Sequence, residues 1–146
     1  MQDEVRPVRA ADLLAISRMA FANMTGVDPQ FTRLVSRPIR RWLSHLTLPF
    51  YFGLAGRGFK VVRAGRIIGC AYLYLRPNSG YVFNVSVNRP YRRQGVARGL
   101  MAHLEGLIQA RGRGWAALQV DWDNSPARAL YAGIGYRAYH PGLFRL

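Results

Sequence analysis

The sequence predicts an α/β (α+β) fold in which a mixed, mostly antiparallel sheet of about six or seven strands is flanked by about four helices. Three observations predict it. Strand-like segments at residues 59–63 and 66–75 are joined by Ala64-Gly65, a hairpin signal. A third such segment, residues 81–87, follows a turn, and helical periodicity begins directly after Gly95. The chain of 146 residues has the length of one domain, so residues 1–146 are expected to form a single unit.

The N-terminal part is expected to hold one strand and two helices. Residues 5–9 suit an edge strand, because Pro7 has no N–H to donate to a central ladder. Residues 12–21 have apolar positions at helical spacing, and a second helix is expected from residue 28. Pro38 must kink or divide that second helix.

Strand periodicity assigns side chains to the two faces of the sheet. In the second hairpin strand, Tyr72 and Tyr74 share one face, while Ala71, Leu73 and Leu75 share the other. In the next strand, one face is expected to carry Tyr81, Phe83, Val85 and Val87, and the opposite face Val82, Asn84 and Ser86.

The stretch from Val85 to Ala110 is the most informative part of the chain. A strand leads into a basic turn, and a helix follows at once with Val96, Leu100, Met101, Leu104 and Ile108 along one side. The first N–H groups of a helix have no partner within it, and the helix dipole is positive there, so this turn suits an anion such as phosphate. Gly95 permits close approach, and three arginines supply positive charge: Arg92, Arg93 and Arg98.

The C-terminal part is expected to add a strand, a short helix and a closing strand. Residues 115–122 alternate as a strand, which would place Asp121 on the same face as Gln119. Ser125 and Pro126 suit the N-cap and first turn of a short helix. Residues 135–146 read as a last strand interrupted at positions 141–142.

Composition narrows the class of protein. The formal net charge is +14, almost all from arginine, which favours polyanionic partners such as a polyphosphate cofactor or nucleic acid. No RNP, zinc or helix-turn-helix signature accompanies the charge. The single cysteine, Cys70, lies in an apolar strand and is expected to be buried and inert, and no histidine or cysteine spacing indicates a metal site. No apolar run is long enough to span a membrane, so a cytoplasmic protein is expected.

Two motifs carry a resemblance to a known family. Residues 92–97, R-R-Q-G-V-A, fit Q/R-x-x-G-x-G/A, the pyrophosphate loop of the GCN5-related N-acetyltransferases (GNAT). Residues 124–136 fit N-x-x-A-x-x-L-Y-x-x-x-G-Y, which is similar to that family's second cofactor segment. The predicted order of strands and helices also matches. The resemblance covers nearly the whole chain and implies the acyl-CoA N-acyltransferase fold, with acetyl-CoA as cosubstrate and no metal.

The resemblance implies a role for each matching residue. The pantetheine arm of the cofactor would pair with the backbone of Val85, Ser86 and Val87. The pyrophosphate would bind the turn formed by Arg92, Arg93, Gln94, Gly95, Val96, Ala97 and Arg98. Asn124 would contact the cofactor through its side chain, and Tyr131 would act as general acid toward the departing thiolate.

The general base is less defined. Residues 81–87 hold no carboxylate, and relatives that acetylate protein N-terminal alanines carry a glutamate where this chain has Gln119. Asp121 is the best remaining carboxylate for a catalytic role. A chain of ordered waters, anchored by Asn84 or Tyr81, is the alternative.

The resemblance implies transfer of an acetyl group to a primary amine by direct attack in a ternary complex. A small molecule is favoured as the acceptor. The expected assembly is a monomer or a homodimer. Three alternatives remain open: a protein N-terminal or lysine acetyltransferase, a CoA-binding domain without transfer, and a nucleic-acid-associated module on the same fold.

Overall fold

Seven strands form one sheet in the part of the chain that the computed structural model describes, residues 3–24, 56–140 and 143–145. The strands are β1 (Glu4–Pro7), β2 (Arg57–Arg63), β3 (Arg66–Leu75), β4 (Ser79–Val87), β5 (Trp115–Gln119), β6 (Arg137–His140) and β7 (Leu143–Arg145). Their spatial order is β1-β2-β3-β4-β5-β7-β6. Among the described strands, only the β4–β5 pair is parallel, so the predicted mixed, mostly antiparallel sheet is confirmed.

Three α-helices accompany the sheet in the described residues: α1 (Leu13–Met24), α2 (Val96–Ala110) and α3 (Ser125–Gly133). Short 3-10 turns at Ala10–Asp12 and Arg89–Tyr91 precede α1 and α2. The helix predicted from residue 28, with its proline at position 38, lies outside the described residues.

The β2–β3 hairpin forms as predicted. Ala64 and Gly65 both have positive φ, 49° and 74°, the backbone that a two-residue hairpin turn requires. Among the strands that the structure describes, β1 pairs only with β2, so Pro7 lies on an edge strand where its missing N–H costs no central ladder bond.

The two faces of the sheet carry separate apolar clusters. The five apolar residues predicted along α2 are all buried, and they pack with Ile68, Ala71 and Leu73 of β3. On the opposite face, Ile16 and Met19 of α1 pack with Cys70 and Tyr72. The predicted faces of β3 are therefore confirmed.

The predicted faces of β4 are wrong beyond Phe83, and a β-bulge is the reason. Cys70 pairs with Ser86 and Tyr72 pairs with Phe83, which leaves Asn84 and Val85 opposite Ala71 alone. The extra residue reverses the alternation. Val82, Val85 and Val87 thus pack on the α2 side, Phe83 packs on the α1 side, and Ser86 hydrogen-bonds to Asn23 of α1.

The same bulge separates β4 from its parallel neighbour. β4 pairs with β5 only from Ser79↔Trp115 to Val82↔Leu118, and the pairing ends just before Asn84. Asn84 has a φ of 51°, a left-handed backbone that asparagine tolerates better than most residues. β4 then continues to Val87, and no strand among the described residues pairs with it on that side, so the two strands open into a cleft.

The C-terminal part differs from the prediction in three details. β5 ends at Gln119 rather than at residue 122, so Asp121 follows the strand and does not share a strand face with Gln119. Asn124, not Ser125, is the N-cap of α3: its Oδ1 accepts from the N–H of Ala127 at 3.3 Å. The tail forms a hairpin in which β7 pairs with β5 and β6 lies outside it.

Packing of α2 on the sheet generates a stability prediction at Gly80. A Cβ at this position would overlap Cδ1 and Cγ1 of Ile108, which is itself buried. Gly80→Ala should therefore lower the free energy of unfolding by about 1–3 kcal/mol through overpacking. Gly106→Ala is the matched control, because a Cβ there meets nothing within 4 Å and alanine favours the helix. Urea unfolding of both variants measures the difference, and equal stabilities would contradict the packing described.

Candidate functional site

A cleft of about 790 Å3 lies where β4 and β5 separate. Its walls come from the end of β4, the turn before α2 and the segment that leads into α3. The structure brings together almost every residue predicted from the sequence. The lining includes Val85, Ser86, Val87, Arg92, Arg93, Gly95, Val96, Ala97, Arg98, Asp121, Asn124 and Tyr131.

The turn before α2 presents a run of backbone donors. Arg93 and Gly95 have positive φ, 62° and 80°, which tightens the turn ahead of the helix. No backbone hydrogen bond in the described residues uses an N–H of residues 93–98 as donor; the first helical bond is from Gly99 to Gly95. Gly95 is an N-cap without a side-chain acceptor. Six consecutive N–H groups at the positive end of a helix dipole form a concave site for an anion.

Two polar side chains of this turn, those of Arg92 and Gln94, are held by hydrogen bonds within the protein. Arg92 donates from Nε to the carbonyl of Val87 at 3.0 Å and from Nη2 to Asn23 at 2.7 Å. Gln94, the one predicted residue outside the cleft lining, donates to Pro90 O at 3.0 Å and accepts from Arg63 at 2.6 Å. The side chain of Gln94 therefore braces the turn, and the backbone N–H of Gln94 remains for a ligand.

The end of β4 offers an open strand edge to the cleft. The N–H of Asn88 donates to Ile68 O at 2.8 Å across the antiparallel ladder with β3. Because donors and acceptors alternate along such a ladder, the N–H and carbonyl of Val87 point to the other side, away from β3. No strand lies beside Val87 there within the described part of the chain. An extended ligand carrying amide groups can pair with this edge as an added strand does.

Asn84 carries an orphaned polar atom at the point where the strands part. Its Nδ2 is buried and has no hydrogen-bond partner among the residues described. Burying an amide donor without a partner costs roughly 1–3 kcal/mol. Asn84 lines the cleft, so a ligand acceptor there would remove this cost. The open edge, the orphaned amide and the six N–H groups together fit a thioester that bears amides and a pyrophosphate.

Tyr131 brings its phenol to the cleft from α3. The residue is only 5% exposed, and its ring lies 5.9 Å from that of Tyr136. Burial raises the pKa of the Tyr131 hydroxyl to about 12, so the group stays protonated at neutral pH. A protonated phenol can donate a hydrogen bond or a proton to a ligand atom.

Two carboxylates, those of Asp121 and Asp123, line the cleft within the described residues. Both are exposed, and both lie in the connection between β5 and α3 rather than on a strand. Gln119 is exposed at the end of β5 and is not part of the lining. Asn124 has its Oδ1 engaged in capping α3, which leaves its Nδ2 donor for a ligand.

Other chemistry is not indicated in the described residues. Cys70 is buried, and burial raises the pKa of its thiol to about 12, which agrees with the inert thiol expected from the sequence. Among the described residues, no group of histidine, cysteine and acidic side chains could hold a metal ion. None of the described helices is long and apolar enough to cross a membrane.

Sequence reasoning missed three polar residues of the cleft lining, Tyr91, Asp123 and Asn23, of which Asn23 is the one that joins α1 to the site. It lies in the last turn of α1, lines the cleft, and hydrogen-bonds to Ser86, Val87 and Arg92. All three partners are more than 60 residues away along the chain. No local pattern around Asn23 predicts such contacts.

Comparison with known proteins agrees with this geometry. The profile of the acetyltransferase (GNAT) family matches residues 21–136, more than half of the chain. A [ribosomal protein bS18]-alanine N-acetyltransferase of Escherichia coli K12 is 30% identical over 89 residues, 57% of this chain and 60% of that protein. A mycothiol acetyltransferase of Salinispora arenicola is 30% identical over 140 residues, 92% of this chain and 39% of the relative. This chain therefore matches less than two thirds of the length of either relative.

Solved structures share the fold. The ribosomal-protein-S18-alanine N-acetyltransferase from Escherichia coli superposes with a TM-score of 0.73 at 23% identity, covering 99% of this chain and 93% of the other. The PaiA N-acetyltransferase from Thermoplasma acidophilum, solved in complex with coenzyme A, gives 0.76 at 15% identity, with 99% and 97% covered. The profile match, together with a sheet that opens beside a helix N-terminus, establishes that this chain belongs to the acetyltransferase (GNAT) family.

Proposed function

We propose that this protein transfers the acetyl group of acetyl-CoA to a primary amine. One observation carries the proposal: the six N–H groups of residues 93–98, which have no backbone partner among the described residues, lie at one end of an open strand edge, in a cleft that also contains the buried phenol of Tyr131. In acetyl-CoA, the pyrophosphate matches the N–H groups, the amide-bearing arm matches the strand edge, and the thioester sulfur matches the phenol.

In the proposed binding mode, the turn holds the cofactor's charge and the strand orients its arm. The N–H groups of residues 93–98 donate to the pyrophosphate, and the exposed Arg93 adds charge at the rim. The backbone of Val85 and Val87 pairs with the pantetheine amides, and Asn124 adds its Nδ2 donor. Main-chain donors polarise the thioester carbonyl without adding a titratable group.

The chemical step forms a C–N bond and breaks a C–S bond. The neutral amine attacks the thioester carbonyl directly, the carbon–sulfur bond breaks, and the sulfur leaves as thiolate. Tyr131 gives its proton to that thiolate, and the attacking nitrogen loses one proton to a base or to water. Tyr131 is suited to the acid role because burial keeps it protonated at neutral pH.

Asp121 remains the proposed base within the described residues. It lines the cleft, but its exposure allows a bound water to carry the proton instead. Asn84, with its orphaned Nδ2, is suited to anchor such a water.

The acceptor class has two candidates. A small-molecule amine is the first, and the match to a mycothiol acetyltransferase over 92% of this chain favours it. A protein N-terminus is the second, favoured by the match to [ribosomal protein bS18]-alanine N-acetyltransferases.

Loss of the Tyr131 hydroxyl should slow the chemical step without weakening cofactor binding. Tyr131→Phe should lower kcat by roughly 10²–10⁴-fold, the usual contribution of a general acid, because the thiolate then leaves unprotonated. Thiol release from acetyl-CoA, measured across a panel of amines, gives the rates, and calorimetry with CoA gives the affinity. Tyr139→Phe is the matched control, since Tyr139 is 70% exposed and lies outside the lining.

A wild-type protein that binds CoA but releases no thiol with any amine would contradict transfer and favour a CoA-binding domain. A wild-type protein with no heat of CoA binding would contradict the proposal as a whole.

The raised pKa of Tyr131 predicts the alkaline side of the pH profile. An ordinary tyrosine has a pKa of 10.0, while that of Tyr131 is about 12, so the acid remains protonated well past neutral pH. kcat should rise with pH as the base and the amine lose protons, and should show no fall caused by Tyr131 below about pH 10. A falling limb near pH 8 that disappears in Tyr131→Phe would contradict the assignment.

The two acceptor classes can be separated by one comparison. Rates with a peptide that begins with alanine are measured against rates with small primary amines at equal concentrations. A small-molecule enzyme should give at least about tenfold higher kcat/KM with its best small amine, a difference of about 1.4 kcal/mol in transition-state binding. A higher kcat/KM with the peptide, together with loss of that activity when the peptide N-terminus is blocked, would identify the protein N-terminus as acceptor.

A further inference from the structure

A closed set of hydrogen bonds joins α1 to the cofactor side of the cleft. Asn23 Nδ2 donates to Ser86 Oγ at 2.6 Å and to Val87 O at 3.1 Å. Asn23 Oδ1 accepts from Arg92 Nη2 at 2.7 Å, while Arg92 Nε donates to the same Val87 carbonyl at 3.0 Å. Asn23, Val87 and Arg92 therefore form a ring in which each member contacts the other two.

This ring uses both ends of one carboxamide. The donor end of Asn23 holds β4 after the bulge, and the acceptor end holds the first residue of the phosphate turn. No other residue type of this size supplies a donor and an acceptor in one plane. The two contacts of Asn23 with β4 are partly buried.

The ring fixes the edge that faces the cleft. The Val87 carbonyl lies on the side of β4 that β5 has left, and two donors occupy both of its lone pairs. The peptide that follows Val87 thus has a set orientation without any strand beside it. At this residue the N–H is then the group that remains for an incoming arm. Holding such an edge in place before binding reduces the ordering cost of the complex.

We propose that Asn23 is a positioning residue for the cofactor arm: by holding Val87 O and Arg92 together, it fixes the open edge of β4 relative to the phosphate turn. The inference rests on the proposed function, because it assumes that a CoA thioester occupies the cleft. Asn23 of α1 would then contribute to cofactor binding, although the motifs that carry the family resemblance all lie between residues 92 and 136.

The direct test is calorimetry on Asn23→Ala with two probes. CoA carries the pantetheine arm, and adenosine 3′,5′-bisphosphate carries phosphates without the arm. Affinity for CoA should fall about tenfold, the value of one hydrogen bond of ordinary strength, because the edge is no longer fixed. Affinity for the bisphosphate should stay within about twofold, because the N–H groups of residues 93–98 are untouched. Asn78→Ala is the matched control: Asn78 is exposed in the β3–β4 turn, outside the cleft lining.

The outcomes separate the inference from the proposed function. No CoA binding by the wild-type protein would remove the proposed function itself. Wild-type binding with an unchanged CoA affinity in Asn23→Ala would overturn the positioning role alone. An equal loss for both probes would also overturn it, because a general displacement of α1 would then explain the effect.

A second measurement keeps the inference testable if Asn23→Ala folds poorly. Ser86→Ala removes a single oxygen that accepts from Asn23, and a smaller loss confined to CoA is expected. A double-mutant cycle of Asn23→Ala with Arg92→Gln measures the coupling between the two residues, because the direct effect of the arginine charge on CoA affinity cancels in the cycle. The double variant should lose less CoA affinity than the product of the two single losses. Multiplicative losses would show that the two residues act independently and would overturn the ring.

Discussion

The β-bulge at Asn84 is the constraint on which the rest of this site depends. Two residues of β4 oppose one residue of β3, and the strand turns away from β5 immediately afterwards. The sheet therefore stays paired on the β3 side while its other edge opens. β5 ends at Gln119, so within the described residues no ladder uses the backbone groups of Val87 on that side. The bulge also reverses the faces, which directs Ser86 toward α1 and makes its contact with Asn23 possible.

The turn before α2 supplies charge recognition, and its surroundings hold it in shape. Arg63 contacts three different groups: it pairs with Asp3 at 2.6 Å, donates to Gln94, and lies over the ring of Tyr91. Arg92 extends the bracing to β4. Arg63 and Arg92 therefore serve as structural ties, whereas Arg93 and Arg98 line the cleft together with the main-chain N–H groups. Donors fixed in advance lose little freedom when a ligand arrives, which favours both binding and catalysis.

Local patterns in the sequence predict the elements well, because the signals that decide them are local. The spacing of Val96, Leu100 and Leu104 predicts α2, and Ala64-Gly65 predicts the β2–β3 turn; both are confirmed. Nearly all the residues predicted from the glycine-bearing turn and from the second motif line one cleft.

The errors have a different physical origin. The bulge depends on pairing between β3 and β4, so strict alternation assigned Ser86 to the same face as Val82. The capping of α3 by Asn124 rather than Ser125 depends on where the chain leaves β5. Asn23 belongs to the cleft only because α1 packs across the end of β4, a contact between residues 63 positions apart. Contacts of that range leave no periodic trace in a single sequence.

The central claim is that main-chain groups of one turn and one strand edge recognise a CoA thioester. Backbone amide resonances recorded by nuclear magnetic resonance during a titration with CoA test it most directly. The largest shifts are expected at the amides of residues 93–98 and of Val85 and Val87, with small shifts in β1 and in the β2–β3 turn. Shifts confined to arginine-rich surfaces away from the cleft, or spread evenly over the chain, would contradict it.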